Sequence, residues 1–500
     1  MTTSEIILNI SAIQNGYPIE DLKYQGKEIW PLIRNQLCYY LTTYPREAQP
    51  IASVTKDIVA NAPGRFGRIR RLLFLIMFGF KVLLHGSLMF LGFYFRSLLG
   101  VNTLVLALPE HFTVLSKGKM VNPITEGFIH TLQTLGIRWR YVQYTHEASR
   151  NRSFADNTRL FDSLLRMNNF LFSFFRVFPM RKQDRIEGFV SFVNYCKRQR
   201  GFDPSEIESE IIFQHNPLAL TFKMLFRIYR PKNLVIYCYY DFVKMVALMA
   251  AASMKIRTIE LQHGRMQGHW AYASWDLSRI TANTYLPQTV LVWADSDKAF
   301  LASAQKEMHI QIEVLGNLWL NLNQSGTLEV DFNKLDFPML YAKDKVKVLH
   351  SLQGVGIAPE ILHVMKRSGQ NISWFIRLHP RNVEEKESVS ALLTLHQINY
   401  EIERSSQFPL YEILRNVDFH TTDCSVICRE AEMFGVKNVL YTKLGYESFT
   451  ESILAGDYFY ALDPDEILSH LTSFKARPVL MNQNNDVDSR ARKLLQDLLQ

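Results

Sequence analysis

Short apolar segments rich in β-forming residues alternate with helical segments along much of this 500-residue chain. The first such strand is Asn102–Pro109. The pattern becomes regular at Leu234–Tyr239 and resumes at Val346–Leu352. Strands joined through intervening helices pair in parallel, because a hairpin turn is not available to them. The alternation therefore predicts an α/β fold with doubly wound parallel sheets.

One interruption of this pattern, the polar and irregular stretch 318–345, divides the chain. Since 500 residues exceed what one ordinary core holds, we expect two Rossmann-like domains that face a central cleft. The predicted parts are an N-terminal helical part of the first domain (1–100), the first Rossmann-like domain proper (101–317), the linker (318–345), the second Rossmann-like domain (346–475) and a C-terminal helix that crosses back (476–500).

Composition and charge narrow the class of partner. The net charge is +8, and the basic residues are not gathered into a tail, which disfavours nucleic acid as the partner. A mild basic excess suits anionic partners such as nucleotides, phosphorylated lipids or a membrane surface. The five cysteines are scattered and odd in number, which indicates reduced thiols in a cytoplasmic protein.

The most apolar stretch is Leu72–Phe95, which is long enough to span a bilayer. Lys81 and His85 lie in its middle, and burying such groups at bilayer depth is costly. Arginines flank the stretch, so a helix or helical hairpin on the inner leaflet is the preferred interpretation. A buried helix pair and a true span are the alternatives.

The first group with chemical potential follows the strand Thr258–Gln262. Glu260 lies within this strand, His263 at its end, and His269 six residues further on. A histidine there has an ordinary pKa close to neutral pH and can act as a general base; alternatively, Glu260 is the base or orients the imidazole. The alternative is a purely structural role, in which the loop is a turn with buried, hydrogen-bonded histidines. Two histidines without a third ligand nearby make a weak metal site, so no metal is expected.

A second group is formed by the stretch 377–381, Arg-Leu-His-Pro-Arg. Pro380 keeps the preceding residue extended, which places His379 at the end of a strand. Arg377, His379 and Arg381 are then expected to form a compact cationic group suited to a diphosphate or a nucleoside monophosphate. A surface turn with solvated arginines is the alternative.

The third group, at 421–425, leads from a strand into a helix that carries Glu430. Thr422 and Ser425 can cap this helix, and a helix start with free amides and hydroxyls can bind phosphate. Glu430 lies one to two turns into the helix, where it can reach ribose hydroxyls or face water. Ordinary capping without a ligand is the alternative.

The order of these elements is more specific than any one of them. A strand ending in Gln-His-Gly, then Arg-x-His-Pro-Arg, then a strand leading into Thr-x-x-Ser before a helix with Glu resembles bacterial GT-B-fold transferases of surface polysaccharides. The resemblance spans roughly Leu234–Tyr441. It includes capsule glycosyltransferases that transfer Kdo or sialic acid and, more distantly, teichoic-acid glycerophosphotransferases.

The resemblance implies roles for particular residues. His379 would contact the donor phosphate, with Thr422 and Ser425 beside it, and Glu430 would contact the nucleotide. The His-Gly loop supplies the base in the glycerophosphotransferases, a role that would fall to His263.

These roles lead to one preferred function and several alternatives. The preferred function is a metal-independent glycosyltransferase without a cofactor. It would use a nucleotide-activated donor bound to the second domain, with CMP as one candidate nucleotide. The acceptor would be a lipid-linked or growing glycan at the inner membrane, with which the protein associates peripherally. The alternatives are a CDP-polyol phosphotransferase, a non-catalytic scaffold of a polysaccharide-synthesis complex and a soluble nucleotide-binding regulator.

Overall fold

A computed structural model describes most of the chain, namely residues 3–43, 100–107, 114–116, 118–143, 161, 164–169, 185–264, 266–267, 269–273, 284–304, 310–325, 327, 330–342, 345–354, 356–379, 382–472 and 484–499. The apolar stretch Leu72–Phe95, to which membrane contact was assigned, lies outside these ranges, and so does Arg381. Within them, no helix combines the length and apolar character needed to cross a bilayer.

The elements up to Gly316 include six strands of one sheet and two short antiparallel pairs. In chain order they are α1 (Thr3–Gly16), β1 (Lys23–Tyr24), β2 (Lys27–Glu28), α2 (Trp30–Thr43), β3 (Thr103–Ala107), β4 (Val114–Ser116), β5 (Lys119–Val121), α3 (Pro123–Thr134), β6 (Trp139–Gln143), α4 (Phe189–Arg200), α5 (Ser205–Tyr229), β7 (Asn233–Ile236), α6 (Phe242–Ser253), β8 (Arg257–Leu261), β9 (Thr289–Val292), α7 (Asp295–Ala304) and β10 (Gln311–Val314). A 3-10 turn covers Ile19–Asp21.

The elements after Gly316 form a second alternation of strands and helices. They are α8 (Leu318–Gln324), α9 (Pro338–Tyr341), β11 (Val346–Ser351), α10 (Pro359–Ser368), β12 (Ile372–Arg377), α11 (Lys386–Leu395), β13 (Tyr400–Glu401), α12 (Glu403–Gln407), α13 (Leu410–Asn416), β14 (Phe419–Thr422), α14 (Ile427–Met433), β15 (Lys437–Leu440), α15 (Lys443–Leu454), β16 (Tyr458–Tyr460), α16 (Pro464–Thr472) and α17 (Asn484–Leu499). Two 3-10 turns cover Lys334–Asp336 and Val383–Glu385.

Two compact units divide these elements. The first unit holds the described residues up to Gly316, apart from 114–123, and takes back residues 490–499 of α17. The second unit holds the rest, with the β4–β5 pair joining it from an early part of the chain. Asn102 Nδ2 in the first unit donates to Leu499 O at 3.0 Å, so the C-terminal helix is anchored at the amino end of the first sheet.

Each unit contains a six-stranded sheet in which every neighbouring pair is parallel. The strand order is β10-β9-β8-β7-β3-β6 in the first sheet and β13-β12-β11-β14-β15-β16 in the second. Counted within its own unit, the second sheet has the order 3-2-1-4-5-6 of dinucleotide-binding folds. The predicted fold class, α/β with two doubly wound Rossmann-like domains, is confirmed.

Alternating residues of the second sheet pack into two separate cores. Val348, Trp374 and Phe419 belong to the core on one face. Their neighbours Leu349 and Phe375 belong to the core on the other face. Because side chains of a strand alternate between faces, both faces must be covered by helices, and the strands read as continuous apolar runs.

The stretch expected to be a polar linker, 318–345, is more ordered than predicted. It supplies α8 and α9, and its residues Leu320, Phe337 and Leu340 are buried in the second core together with Leu349. These helices are only seven and four residues long. Such short helices carry too few apolar positions to produce a helical periodicity, which explains why the sequence read as irregular.

Candidate functional site

Glu260 lies at the carboxyl end of β8 in the first unit, and its side chain is completely buried. One carboxyl oxygen, Oε1, accepts hydrogen bonds from Tyr239 N at 2.9 Å and from the Tyr272 hydroxyl at 2.8 Å. The other oxygen, Oε2, is buried and has no hydrogen-bond partner among the described residues. An unsatisfied buried acceptor costs stability, so its presence at a sheet edge needs an explanation.

Burial raises the pKa of the Glu260 carboxyl to about 7, whereas the two hydrogen bonds and the Lys244 charge act in the opposite direction. A carboxyl group with such a pKa exchanges its proton near neutral pH. Buried groups with strongly shifted pKa values at the carboxyl edge of a parallel sheet are candidates for a functional site.

His263 follows β8 and is half-buried. Its Nε2 lies 3.1 Å from the Tyr240 hydroxyl, and its Nδ1 is buried without a partner in the described part of the chain. Burial lowers the pKa of this imidazole to about 3, with Lys244 and His269 adding repulsion. His263 is therefore neutral at physiological pH, which suits it to hydrogen bonding better than to proton removal.

His269 belongs to the same edge but is held differently. Its Nδ1 accepts a hydrogen bond from Ala271 N at 3.1 Å, and its ring stacks on Trp270 with centroids 5.2 Å apart. Tyr240 packs against both rings. An aromatic group thus surrounds the two histidines of this loop.

Helix α2 from the start of the chain holds this loop in place. Arg34, which is almost fully buried, donates from Nη2 to Trp270 O at 3.1 Å and to Ala273 O at 2.8 Å. The Tyr39 ring packs edge-on against Trp270. No local pattern in the sequence connects positions this far apart, so this contribution was not predicted.

A second unpredicted group is Lys244 in α6, whose side chain is completely buried. Its Nζ donates to Tyr237 O and lies 3.8 Å from the centroid of the Tyr237 ring. Burial lowers the pKa of Lys244, while the charge of Glu260 acts to raise it. The Lys244 ammonium thus acts electrostatically on the Glu260 carboxyl. It was not predicted because it is a single charged residue in a helix that is otherwise mostly apolar.

The strand order of the second sheet reverses between β11 and β14. This position, at the carboxyl ends of the two strands, is the switch point of a doubly wound sheet. The loop after β11 contains Gly354 at φ +86° and Gly356 at φ +70°. A Cβ atom at Gly354 would lie 2.6 Å from Asn382 Nδ2, so glycine is required there on both counts. The loops after β11 and β12 are thereby packed together at this edge.

The predicted cationic group is only partly assembled in the described residues. Arg377 donates from Nη1 to Ser405 O at 2.6 Å and to Phe408 O at 2.9 Å, so its guanidinium fastens the turn after α12. His379 is half-buried directly after β12, and its carbonyl accepts from Asn382 N at 2.9 Å. Arg381 lies outside the described residues, so the structure describes two members of the predicted group, Arg377 and His379.

The hydroxyls predicted to bind phosphate have partners within the chain. Thr422 Oγ1 donates to Ser351 O at 2.9 Å and accepts from Ser425 N at 3.3 Å. Ser425 Oγ accepts from Ile427 N at 3.3 Å, at the start of the seven-residue helix α14, whose N-cap residue is Val426. Both hydroxyls thus bond backbone groups of their own unit, and the phosphate contact stays a prediction.

Glu430 is half-buried, and its Oε1 accepts from the Tyr411 hydroxyl at 3.1 Å. Burial raises the pKa of the Glu430 carboxyl to about 7, opposed by Tyr411 and by the positive charge of Arg377. Glu430 and Arg377 therefore act on one another electrostatically on the same side of the second sheet.

Comparisons with known proteins give similarity of fold only. No protein-family model and no curated protein sequence matches the chain. Among solved structures, UDP-GlcNAc 2-epimerase from Methanocaldococcus jannaschii is 12% identical at a TM-score of 0.46, covering 79% of this chain and 99% of that one. The Neisseria meningitidis enzyme bound to UDP-GlcNAc is 14% identical at 0.47, covering 80% and 99%. The calicheamicin glycosyltransferase CalG4 is 13% identical at 0.39, covering 80% and 94%. Similarity this remote identifies neither a family nor an activity.

Proposed function

We propose that the chain is a glycosyltransferase that moves a sugar from a nucleotide-activated donor to a hydroxyl of a bacterial surface glycan. In this proposal the second unit binds the donor, and the first unit supplies the group that removes the proton from the acceptor hydroxyl. The acceptor oxygen then attacks the anomeric carbon, and the nucleotide leaves with the electron pair of the broken bond.

The single observation that carries the proposal is the state of Glu260. It is a completely buried carboxyl at the carboxyl edge of a parallel sheet, with Oε1 fixed by two hydrogen bonds and no partner for Oε2 among the described residues. Burial raises its pKa to about 7, which makes its carboxylate a base matched to neutral pH. An unsatisfied acceptor oxygen and a pKa near neutrality are together what removal of a proton from a hydroxyl requires.

The same observations favour Glu260 over His263 as the base. The pKa of His263 is lowered to about 3, so its conjugate acid is too strong for the ring to hold a proton taken from a hydroxyl. Its neutral ring is well placed to donate or accept a hydrogen bond instead. We therefore assign proton removal to Glu260 and orientation of the acceptor to His263.

Support for donor binding comes from the second sheet. Its 3-2-1-4-5-6 order, with Gly354 at the loop after the first strand, is the arrangement that holds dinucleotides in other α/β folds. His379 lies beside this loop, at the end of the adjacent strand. We propose that His379 contacts a donor phosphate, whereas Arg377 supports the local structure.

The lipid-linked nature of the acceptor and the membrane surface also belong to the proposal. They are supported by the sequence of Leu72–Phe95 and by the arginines Arg65, Arg68, Arg70 and Arg71 that precede it. Flotation with vesicles of anionic lipid tests this part: the protein should float with them, and reversing the charge of the four arginines should abolish flotation. Equal flotation of both proteins would show that these arginines do not contribute to membrane binding.

The deciding experiment begins with thermal-shift binding of CMP, CDP, UDP, GDP and ADP, since a ligand that binds only the folded state raises the melting midpoint. Sugar donors of the responding nucleotide are then incubated with lipid-linked acceptor glycans. A new glycosidic bond made by the wild type, and lost in Glu260→Gln, is the expected result.

Other products would overturn the proposal in recognisable ways. A phosphodiester linkage would indicate polyol-phosphate transfer, and a donor sugar epimerised without acceptor would indicate an isomerase. Absence of any nucleotide binding would favour a scaffold. Glu313→Gln, a change at a half-buried edge-strand carboxylate, is the matched control.

A further inference from the structure

Three polar side chains without a role in the proposed reaction meet at the switch point of the second sheet. His350 belongs to β11, Asp423 follows β14, and Tyr441 follows β15. The His350 and Tyr441 rings have centroids 6.0 Å apart, and the Tyr441 side chain hydrogen-bonds the Asp423 carboxyl. We call these three residues the switch-point cluster.

Two atoms of the cluster are left unsatisfied. His350 is completely buried, its Nδ1 lies 2.9 Å from Thr421 Oγ1, and its Nε2 has no partner within the described ranges. Oδ1 of Asp423 is equally buried and equally without a partner there. A folded chain seldom keeps two orphaned polar atoms in one place unless a ligand or water completes them.

A histidine in the neighbouring strand β14 shows that this sheet can satisfy a buried imidazole. His420 is also completely buried, yet its Nε2 lies 2.7 Å from Ser351 Oγ and its Nδ1 lies 2.8 Å from Asn438 Oδ1. Ser351 and Asn438 thus complete both ring nitrogens of His420. For His350, Thr421 completes only one.

The position of the cluster is the one where doubly wound sheets bind ligands. The chain leaves β11 toward one face and β14 toward the other, and doubly wound sheets bind their ligands outside the carboxyl ends of two such strands. His350 packs on the face covered by α10, as does Tyr441 with the surrounding core. The orphaned atoms therefore lie at the base of the loops after β11 and β14.

Charge at this position excludes phosphate as the completing group. Asp423 is acidic, and Glu360 at the start of α10 acts on it as a like charge. A phosphate beside these carboxylates would be repelled, and a carboxylate oxygen offers it no proton. A hydroxyl, in contrast, donates to Asp423 Oδ1 and either donates to or accepts from His350 Nε2, whichever tautomer is present.

We propose that the switch-point cluster recognises hydroxyl groups of a nucleotide sugar, so that a polyhydroxylated and uncharged part of the ligand lies against Asp423 and His350. This inference rests on the proposed function for the identity of the ligand, but not for the hydroxyl chemistry. The hydroxyls come either from the ribose or from the transferred sugar.

The test measures binding by isothermal titration to the full chain and to Asp423→Asn, His350→Phe and Tyr441→Phe. The probes are nucleoside diphosphates, their 2′-deoxy analogues, the corresponding nucleotide sugars and free hexoses. Asp423→Asn should weaken binding about 10- to 100-fold, as expected for a hydrogen bond to a charged group. Tyr441→Phe, the mildest change, should weaken it about three- to tenfold because Asp423 loses its orientation.

The probes separate the two sources of the hydroxyl. If the ribose binds here, the 2′-deoxy analogue binds the wild type weakly and the Asp423→Asn variant suffers little further loss. If the transferred sugar binds here, the advantage of the nucleotide sugar over the diphosphate disappears in the variant. Asp457→Asn, a change at an exposed aspartate in the same unit, is the matched control and should bind like the wild type.

Failure of this inference is distinct from failure of the proposed function. Nucleotide binding that all three variants retain within about twofold would overturn the cluster's role and leave donor binding intact. Hexose binding that depends on Asp423, without any nucleotide binding, would support the cluster and overturn the proposed function. Absence of binding by every probe would overturn both.

Discussion

The carboxyl edges of the two sheets differ in how the chain treats the residues that lie there. At the first edge, Glu260 and His263 each keep one buried polar atom that no described residue satisfies. At the second edge the residues divide into two kinds. His350 and Asp423 also keep such an atom, whereas Arg377 and Thr422 bond backbone groups of their own unit. A residue type that suits ligand binding is therefore insufficient evidence of a site, and the unsatisfied atom is the better guide.

The largest expected effect tests the first edge. Replacing Glu260 by Gln preserves its shape and its acceptor but removes the base, so turnover in the transfer assay should fall about 100- to 10,000-fold. Donor affinity should change by less than about threefold. A variant that transfers sugar at more than a tenth of the wild-type rate would assign the base elsewhere.

The pH dependence of stability tests the raised pKa of Glu260 directly. The pKa of Glu260 is about 7 in the folded protein and near its ordinary value of 4.5 when unfolded. Between these values the folded state holds the proton and the unfolded state releases it, so stability falls as pH rises and levels off above pH 7.

Wild type should consequently lose up to about 3 kcal/mol relative to Glu260→Gln between pH 4.5 and 7, at about 1.4 kcal/mol for each unit of pKa. Urea unfolding of both proteins across this range measures the difference. A constant difference at every pH would mean that Glu260 titrates as an ordinary carboxyl.

At the second edge, the expected effect of Arg377→Met is on stability. Loss of its guanidinium leaves the carbonyls of Ser405 and Phe408 without their donor, which should lower the free energy of unfolding by about 2 kcal/mol. Chemical denaturation measures this change. If the free energy of unfolding is unchanged while nucleotide affinity is lost, Arg377 binds the nucleotide and does not stabilise the turn.

The smallest effect is expected for His379→Ala. This residue is half-buried at the strand end, and in the proposal its ring contacts a donor phosphate. The variant should therefore bind the donor about tenfold more weakly, with a change of only a few degrees in its melting midpoint. Thermal-shift titration with the responding nucleotide gives both quantities. A variant with full affinity and full stability would leave His379 without a role in donor binding.

The sequence predicted the sheets well because their strands are continuous apolar runs. Leu234–Tyr239 and Val346–Leu352, for example, were expected to contain strands, and Asn233–Ile236 and Val346–Ser351 are strands. Helix α11 was missed, since only Val389 and Leu393 of its ten residues are buried and the periodic signal is correspondingly weak. Helix α15 was missed as well, and a non-helical residue, Phe449, interrupts it.

The candidate site was less predictable than the fold. Glu260 and His263 could be selected because they follow a recognisable strand. Arg34 could not, because it reaches Trp270 from a helix more than 200 residues earlier in the chain. His350 and Asp423 are distinguished by one buried atom each that no described residue satisfies, a property that depends on the whole three-dimensional surroundings.

The return of α17 to the first unit has a consequence for biosynthesis. Carbonyl oxygens of Leu498 and Leu499 bind Arg257 and Asn102, which belong to or precede strands of the first sheet. A ribosome that adds about 5 to 20 residues per second needs roughly 10 to 40 s to travel from the last strand of that sheet to these residues. The first unit therefore stays incomplete while the second is synthesised. A chain released before residue 490 would lack the part of α17 that packs on the first unit.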